Sequence, residues 1–277
     1  NEADLFDLEY WSLEQAKLGK SKPPVMTGKV VMITGAAGAI GRAIAGIFAG
    51  VGADIVIVDR PGIGLQDVAM DISKTALAVE MDITEDGAAD RAIIAATSRF
   101  GGLDILVSNA GAAQTGAMLE LDDRQFADAY ELNFFAPYRF ARAAAHCLCR
   151  QGRGGQLLFN ISKQSVNPGR NFGAYGLPKA STLFLMRQLA LELGADNIRV
   201  NGVNADRIRS GIVTDDFIAS RSSARGIKAA DYMAGNLLKQ EVEARHVAEA
   251  FLMLAQMERT TGHVVTVDGG NVEASLR

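Results

Sequence analysis

Short apolar runs alternate with longer helical stretches through most of the chain, and this alternation limits the folds open to it. The runs are rich in Val, Ile and Leu with little polar alternation, which is typical of strands buried on both faces of a parallel sheet. The predicted strands are Val30–Thr34, Asp54–Asp59, Ala76–Asp82, Ile105–Asn109, Gly155–Ser162, Arg199–Val203 and Val264–Asp268. The helical stretches that join them are Gly41–Gly50, Asp86–Phe100, Asp122–Gln151 and Tyr175–Leu193. Repeated β-α-β units of this kind predict one doubly wound α/β domain with a seven-stranded, mostly parallel sheet.

The composition excludes several classes of protein. The chain of 277 residues is 48% hydrophobic and 22% charged, the usual globular balance. Its net charge of −4, without long basic runs, predicts no nucleic-acid partner and no membrane partner. The apolar stretches are far shorter than the roughly 20 residues that span a bilayer. Three histidines and two cysteines give no metal-ligand spacing, so we expect no metal site, reduced cysteines and a cytoplasmic location.

The periodicity changes at residue 25 and divides the chain in two. Residues 1–24 place Leu and Trp side chains among charged residues, which predicts an N-terminal amphipathic helix followed by a Ser-Lys-Pro-Pro linker. Residues 25–277 form the main domain. The helix could pack on its own domain, on a subunit neighbour, or at a junction with a preceding domain. Because the chain starts at Asn1, we interpret it as processed, excised from a longer protein, or lacking its first residues.

A glycine-rich turn follows the first predicted strand and leads directly into a helix. The segment from Thr34 to Gly41 reads Thr-Gly-Ala-Ala-Gly-Ala-Ile-Gly. Backbone N–H groups and the helix dipole at such a turn attract a pyrophosphate. A tight structural turn is the alternative reading, but the strand before it and the helix after it favour a dinucleotide.

A carboxylate ends the second predicted strand. Asp59 at that position can accept hydrogen bonds from an adenosine ribose and would repel a 2′-phosphate, which favours NAD over NADP. The adjacent Arg60 could soften this preference. An ordinary surface Asp at a strand end is the alternative.

A second cluster comprises Ser162, Tyr175 and Lys179. Tyr175 and Lys179 fall four positions apart in a helical pattern, so they share one face. A nearby ammonium would favour the phenolate of Tyr175, which could then act as a general base. Ser162, at the end of a strand, could hold the substrate oxygen. An ordinary exposed Tyr/Lys pair is the alternative.

These motifs, in order along residues 28–270, resemble those of the short-chain dehydrogenase/reductase family. The matching segments are Thr34–Gly41, Asp59, Asp82 in Met-Asp-Ile-Thr, Asn109-Ala110-Gly111, Asn133, Ser162, Tyr175-x-x-x-Lys179, Ile198–Asn201, Thr261-Gly262 and Val267–Gly270. The resemblance implies a single Rossmann-type domain and an NAD-dependent oxidoreductase acting on CH–OH or C=O groups. It also implies a homo-oligomer, tetramer or dimer.

The resemblance further implies a role for each matching residue. Tyr175 is the acid/base, and Lys179 lowers its pKa and binds the nicotinamide ribose. Ser162 orients the substrate oxygen, and Asn133 helps to hold a water that relays protons from Lys179. The implied cofactor-binding positions are Gly35, Gly38, Ala39, Ile40, Gly41, Asp59, Arg60, Asp82, Ile83, Asn109, Ala110, Gly111, Tyr175 and Lys179.

Two departures from the family pattern narrow the resemblance. Ala39 stands where the family has its second fingerprint glycine, and Ala205-Asp206 replaces the usual Pro-Gly after the sixth strand. With the Asn160–Lys163 and Arg209–Ile212 segments, the chain is similar to the C-terminal dehydrogenase half of bifunctional aldolase/short-chain dehydrogenases of the rhamnulose-1-phosphate aldolase/alcohol dehydrogenase type. That similarity implies an aldolase domain N-terminal to this chain and a small aldehyde such as lactaldehyde.

The substrate is least constrained by the sequence. Residues 207–240 should form a lid rich in Arg and Lys. The expected substrate contacts are Ser162, Tyr175 and Gln164, which should lie near the mouth of the site. The polar character of these residues predicts a hydrophilic substrate. It would be a small alcohol or aldehyde that is anionic or polyhydroxylated, or a sugar. The alternatives are a sugar or polyol dehydrogenase unconnected to an aldolase, and a dinucleotide-binding module without catalysis.

Overall fold

Seven strands form one sheet in the computed structural model, which describes residues 24–271. The strands are β1 (Val30–Thr34), β2 (Asp54–Asp59), β3 (Leu77–Glu80), β4 (Ile105–Ser108), β5 (Gly155–Ser162), β6 (Ile198–Ala205) and β7 (Val264–Val267). They run in the order β3-β2-β1-β4-β5-β6-β7. All six strand pairings are parallel, so the predicted doubly wound fold is confirmed and the sheet is wholly rather than mostly parallel.

Helices connect the strands and cover both faces of the sheet. They are α1 (Ala39–Gly50), α2 (Leu65–Ile72), α3 (Ala88–Phe100), α4 (Asp123–Tyr130), α5 (Ala136–Gln151), α6 (Gly173–Leu193), α7 (Asp215–Ser223), α8 (Ala229–Met233) and α9 (Ala244–Gln256). A π-helix, Glu131–Phe135, joins α4 to α5. The helices α3, α5 and α6 pack on one face, and α1, α2 and α9 pack on the other.

The core is divided by the sheet into two apolar clusters. Successive side chains of a strand point to opposite faces, so Met32 of β1 belongs to one cluster and Ile33 to the other. Both side chains are fully buried, as the unbroken apolar run of β1 predicts. This packing fixes the strand ends, from which the polar loops of the site emerge.

The structure differs from the sequence prediction mainly in its helices. The stretch predicted as one helix, Asp122–Gln151, is broken into α4, the π-helix and α5. The π-helix is only five residues long, and the apolar pattern of so short a segment does not distinguish it from an α-helix. Strand β6 continues to Ala205, beyond its predicted end at Val203.

Three predictions concern the N-terminal extension, membrane spans and metal sites. The predicted extension, residues 1–24, lies outside the described residues except for Pro24. Within residues 24–271, no helix combines the length and apolarity needed to cross a bilayer. The same part of the chain contains no group of three His, Cys, Asp or Glu side chains arranged for a metal ion.

Candidate active site

The strand order reverses at the centre of the sheet, between β1 and β4. Loops that leave the carboxyl ends of these neighbouring strands turn to opposite sides and leave a crevice between them. Thr34 at the end of β1 ties the two loops together, because its Oγ1 accepts hydrogen bonds from the N–H groups of Asn109 and Ala110, both at 3.1 Å. The glycine-rich turn therefore lies directly beside the Asn109-Ala110-Gly111 segment.

Packing requires two glycines of the turn. Gly35 has a φ of +66°, and a Cβ there would lie 2.7 Å from the Cα of Ala110. A Cβ on Gly41 would collide with the carbonyl oxygen of Gly35. At Gly38 a Cβ would meet only that same oxygen, at 3.5 Å, which is ordinary contact. The turn therefore has an inner face closed by backbone and an outer face that tolerates the exposed methyl group of Ala39.

The start of α1 presents unpaired donors at this turn. No described residue accepts a hydrogen bond from the N–H groups of Ala39, Ile40 or Gly41. The first turn of the helix carries no acidic side chain, and its N-cap residue, Gly38, has no side chain that could accept a hydrogen bond. Three N–H groups at the positive end of a helix dipole fit the pyrophosphate of a dinucleotide.

Asp59 lies on the other side of the same turn, at the end of β2. Its Oδ2 accepts a hydrogen bond from the N–H of Ala37 at 2.9 Å, and its Oδ1 accepts one from the N–H of Arg60 at 2.8 Å. The carboxylate is thus held against the turn, and each carboxylate oxygen has a further lone pair for a hydroxyl donor. This position fits a ribose beside the pyrophosphate.

Asp82 and Ile83 follow β3, further along the same edge of the sheet. Thr84 donates to Asp82 Oδ1 through its N–H at 2.9 Å and its hydroxyl at 2.7 Å. These bonds, that from the backbone N–H first, lower the pKa of Asp82. Ile83 is buried in the core, so its side chain belongs to the packing and only its backbone is suited to touch a cofactor.

A chain of hydrogen bonds links the turn to the catalytic candidates. The side-chain amide of Asn109 donates to the carbonyl oxygens of Thr34 and Gly35 at 3.0 and 3.1 Å. Asn160 donates through Nδ2 to Asn109 Oδ1 at 2.9 Å, and its carbonyl oxygen accepts from Lys179 Nζ at 3.0 Å. Asn160 was not among the predicted site residues, because a polar residue inside a buried strand carries no distinct sequence signal.

The structure brings Ser162, Tyr175 and Lys179 together. Ser162 ends β5 and lines the same pocket as Tyr175, which lies in the first turn of α6. Lys179 is one turn further along, with its Nζ 5.7 Å from the centroid of the Tyr175 ring. Tyr175 is 8% and Lys179 is 4% exposed, so neither is the ordinary surface residue considered as the alternative.

The pKa values differ from the sequence expectation. Burial raises the pKa of the Tyr175 phenol, and the hydrogen bond with Ser162 offsets only part of this effect. Burial also lowers the pKa of Lys179 to about 8. The expected lowering of the Tyr175 pKa by Lys179 is therefore absent from this arrangement, because desolvation disfavours both charged forms and the ammonium points to the carbonyl oxygen of Asn160.

Asn133 lies in the π-helix and is completely buried. Its Nδ2 donates to the carbonyl oxygens of Ala112 and Ala129, both at 3.0 Å, and its Oδ1 accepts from the N–H of Ala112 at 3.3 Å. The carbonyl oxygen of Asn133 accepts from the hydroxyl of Thr182 at 2.8 Å. Asn133 therefore fixes the loop after β4 against α6, next to Lys179.

A pocket of about 470 Å³ opens beside Tyr175. Ser162, Gln164 and Tyr175, the three tentative substrate contacts, all line it, as does Ile40 of the glycine-rich turn. Gln164 accepts a hydrogen bond from the N–H of Gly169 at 2.7 Å, which orients its side chain. The pocket lining from residues 207–240 comprises Arg207, Ile208, Ser210, Ile212, Val213, Phe217, Arg221, Arg225 and Tyr232. Asp59 and Asp82 do not line this pocket.

Asp206, one of the two departures from the family pattern, also lines the pocket. Its Oδ2 lies 3.6 Å from Lys163 Nζ and 3.5 Å from Arg207 Nε, and accepts a hydrogen bond from Asn271 at 2.6 Å. The carboxylate thus connects Lys163, which follows β5, to Arg207 of the lid and to Asn271 at the end of the described residues. A Pro-Gly pair could make none of these contacts.

Comparison with known proteins agrees with this geometry. The profile of the family described as enoyl-(acyl carrier protein) reductase matches residues 35–271. Short-chain dehydrogenase reductase 3a of Arabidopsis thaliana is 32% identical over 88% of this chain and 95% of its own length. The chain belongs to the short-chain dehydrogenase/reductase family. It is therefore an enzyme, a nicotinamide-dependent oxidoreductase acting on alcohol or ketone groups.

A second relative is much longer than this chain. The uncharacterized oxidoreductase YuxG of Bacillus subtilis (strain 168) is 34% identical over 100% of this chain but only 42% of its own length. The chain thus spans less than half of YuxG.

Solved structures of the family share the fold and contain both forms of the cofactor. The 3-ketoacyl-(acyl-carrier-protein) reductase of Brucella melitensis, complexed with NADH, has a TM-score of 0.80 at 30% identity, covering 88% of this chain and 98% of its own. L-sorbose reductase of Gluconobacter frateurii, complexed with NADPH and L-sorbose, has a TM-score of 0.80 at 30% identity, covering 90% and 98%. These neighbours support a nicotinamide dinucleotide here without deciding between NAD and NADP.

Proposed function

We propose that this short-chain dehydrogenase/reductase moves a hydride between NAD(H) and a small polar alcohol or aldehyde, such as lactaldehyde, or a sugar. The observation that carries the proposal is that Ser162 and the buried Tyr175 line one polar pocket, with Lys179 one helical turn away from Tyr175. A bound nicotinamide dinucleotide supplies the hydride acceptor or donor and, when oxidised, a positive charge that favours the phenolate.

We infer the catalytic roles from the family resemblance together with the positions of these residues. Ser162 and Tyr175 hydrogen-bond the substrate oxygen. In oxidation the Tyr175 phenolate takes the hydroxyl proton as the carbon loses its hydride, and in reduction the phenol returns a proton to the carbonyl oxygen. Lys179, whose pKa lies near 8, would bind the nicotinamide ribose and relay protons through a water, and Asn133 keeps the loop after β4 in place beside it.

NAD is the proposed cofactor, and NADP is the less favoured one. The support is Asp59, whose carboxylate is fixed beside the glycine-rich turn where a 2′-phosphate would meet its charge. Arg60 is the residue that could oppose this preference. Comparison of kcat/KM for NAD and NADP with one substrate tests it, and equal values would contradict it.

The substrate proposal has two versions. In the first, the chain works beside an N-terminal aldolase domain that releases lactaldehyde, and residues 1–24 form the junction. The length of YuxG, more than twice the part that this chain matches, leaves room for such a domain in a relative. In the second, the enzyme is an independent sugar or polyol dehydrogenase. Turnover of lactaldehyde but not of sugars would favour the first version.

We also propose that the enzyme is a cytoplasmic homo-oligomer. Cys147 and Cys149 are both free thiols, which fits a reducing compartment. Large apolar side chains lie exposed on α6, which favours burial against a second copy of the chain.

Replacing Tyr175 with Phe should abolish turnover while leaving NADH binding intact. The ring fills the same space, but the proton-transferring hydroxyl is gone. The measurement is a screen of small alcohols, aldehydes and sugars with NAD(H), read through the absorbance of the reduced nicotinamide, with NADH binding followed by fluorescence. Tyr130→Phe, which removes a phenol from α4 outside the pocket, is the matched control. Turnover by Tyr175→Phe at the wild-type rate would exclude the proposed mechanism.

A further inference from the structure

We propose that the substrate pocket contains a binding site for an anionic group, centred on Arg221 of α7. The preferred substrate is then an alcohol or carbonyl compound that also carries a carboxylate or a phosphate. This inference rests on the proposed function and specifies the substrate class of the same site.

The charges that line the pocket are unbalanced. The lining contains five basic side chains and one acidic one, namely Lys163, Arg170, Arg207, Arg221 and Arg225 against Asp206. Asp206 is shared by Lys163 and Arg207, which lie within 3.6 Å of its carboxylate. Among residues 24–271, no carboxylate lies within ion-pair distance of Arg221 or Arg225. The excess positive charge therefore faces the space beside Tyr175 and attracts anions.

Arg221 packs against two aromatic rings. Its guanidinium lies 5.1 Å from the ring centroid of Phe172 and 5.5 Å from that of Phe217, and the two rings meet edge to face. Contact with aromatic rings restricts the position of a guanidinium without using its N–H donors. A fixed, planar set of donors matches the oxygens of a carboxylate or phosphate.

One donor of Arg221 has no acceptor within the described chain. Its Nε is buried and makes no hydrogen bond to any residue of this part of the protein. A buried donor without a partner is costly, and such donors in a native structure commonly serve a function. An anion that displaced the neighbouring side chains enough to reach Nε would supply the acceptor.

The site is joined to the catalytic residues through Phe172. This residue immediately precedes α6, whose first turn carries Tyr175, so the platform for Arg221 and the acid/base belong to the same segment. Arg225 provides a second cation, stacked 5.1 Å from the ring centroid of Tyr232 and hydrogen-bonded to the carbonyl oxygen of Arg221. A small substrate could thus place its reacting carbon at Tyr175 and its anionic group at Arg221.

The test compares matched charged and neutral compounds. The pairs are pyruvate with acetone, and dihydroxyacetone phosphate with dihydroxyacetone. For each compound, kcat/KM with NADH and binding by calorimetry are measured on the full chain. We expect the charged member of at least one pair to be favoured at least tenfold, and the better pair distinguishes a carboxylate site from a phosphate site.

Three variants separate the anion site from a structural role. Arg221→Met should reduce the charged-over-neutral preference to less than threefold, and Arg225→Met, at an exposed position, should reduce it partly. Arg99→Met is the matched control, because Arg99 also stacks on a ring, 5.0 Å from Phe100, but lies outside the pocket. It should retain the wild-type preference.

The outcomes distinguish this inference from the proposed function. Three results would each overturn the anion site. They are equal binding and turnover of the charged and neutral compounds, no binding of either anion, and a charged-over-neutral preference that survives both pocket variants. If anions bind through Arg221 but no alcohol or carbonyl compound is turned over, the anion site stands and the proposed function fails. If neutral compounds alone are turned over, the function stands and the anion site fails.

Discussion

At the scale of single residues, burial dominates the chemistry of the catalytic candidates. Lys179 and Tyr175 are both almost completely buried, and each has its pKa moved toward the neutral form. The hydrogen bond of Lys179 to the carbonyl oxygen of Asn160 orients the ammonium but does not replace its lost hydration. Buried titratable groups with shifted pKa values are typical of functional sites, and they cost stability.

The lowered pKa of Lys179 makes folding stability depend on pH. Between pH 8 and its ordinary pKa of 10.5, the unfolded chain binds more protons at this position than the folded chain. The contribution of Lys179 to stability therefore rises with pH over this window and is lost as the pH falls toward 8. Each pKa unit corresponds to about 1.4 kcal/mol, so the free energy of unfolding changes by about 3 kcal/mol across this window.

The variant Lys179→Met isolates this effect. We expect the free energy of unfolding of the wild type, relative to that of Lys179→Met, to increase between pH 8 and pH 10. Urea denaturation of both proteins at each pH measures the difference, in which other titrations cancel. A difference that is constant with pH would show that Lys179 is not desolvated as described.

At the scale of secondary-structure elements, the π-helix decides where Asn133 points. The extra residue in its wide turn directs Asn133 inward, where its side chain makes three hydrogen bonds with Ala112 and Ala129. The neighbouring α6 adds a fourth bond through Thr182. This element therefore holds the loop after β4, and with it Gly111, against Lys179.

Removing the side chain of Asn133 should loosen this connection. Asn133→Ala leaves buried backbone groups without partners, and we expect a loss of about 1–3 kcal/mol of stability. Thr182→Val, which removes only the single bond to the Asn133 carbonyl oxygen, should cost less. Urea denaturation midpoints of the two variants measure both losses, and the opposite ranking would contradict the role given to the Asn133 side chain.

Some elements could be predicted from the sequence and others could not. The bounds of β1, β2 and β5 are those predicted, because buried parallel strands have continuous apolar runs that end at glycines or polar residues. Tyr175 and Lys179 were singled out by their helical spacing together with the family resemblance. The π-helix, the structural role of Asn160 and the raised pKa of Tyr175 were not, because each depends on contacts between distant segments of the chain.

At the scale of the whole molecule, α6 carries an apolar stripe on its outer side. Leu177, Phe184 and Leu191 recur every seven residues and are 45%, 70% and 79% exposed, while Tyr175 and Lys179 point inward from the same helix. An apolar stripe of this kind is unfavourable in water and favours association. One helix thus combines the proposed acid/base with the proposed subunit contact.

A charge in this stripe should separate the subunits. Phe184→Glu would bury a carboxylate in the contact, so we expect a smaller assembly than the wild type in light scattering after size exclusion. Met70→Glu, on α2, changes a residue that is 62% exposed away from the stripe and should leave the mass unchanged. An unchanged mass for Phe184→Glu would exclude α6 as the contact.

The two-faced glycine-rich turn has a consequence for protein engineering. Its inner face is closed at Gly35 and Gly41, so a library that varies these positions would consist largely of chains that cannot close the turn. Its outer face, at Gly38 and Ala39, is open and lies beside Asp59. Coenzyme choice can therefore be redesigned on the outer face while the scaffold is left untouched.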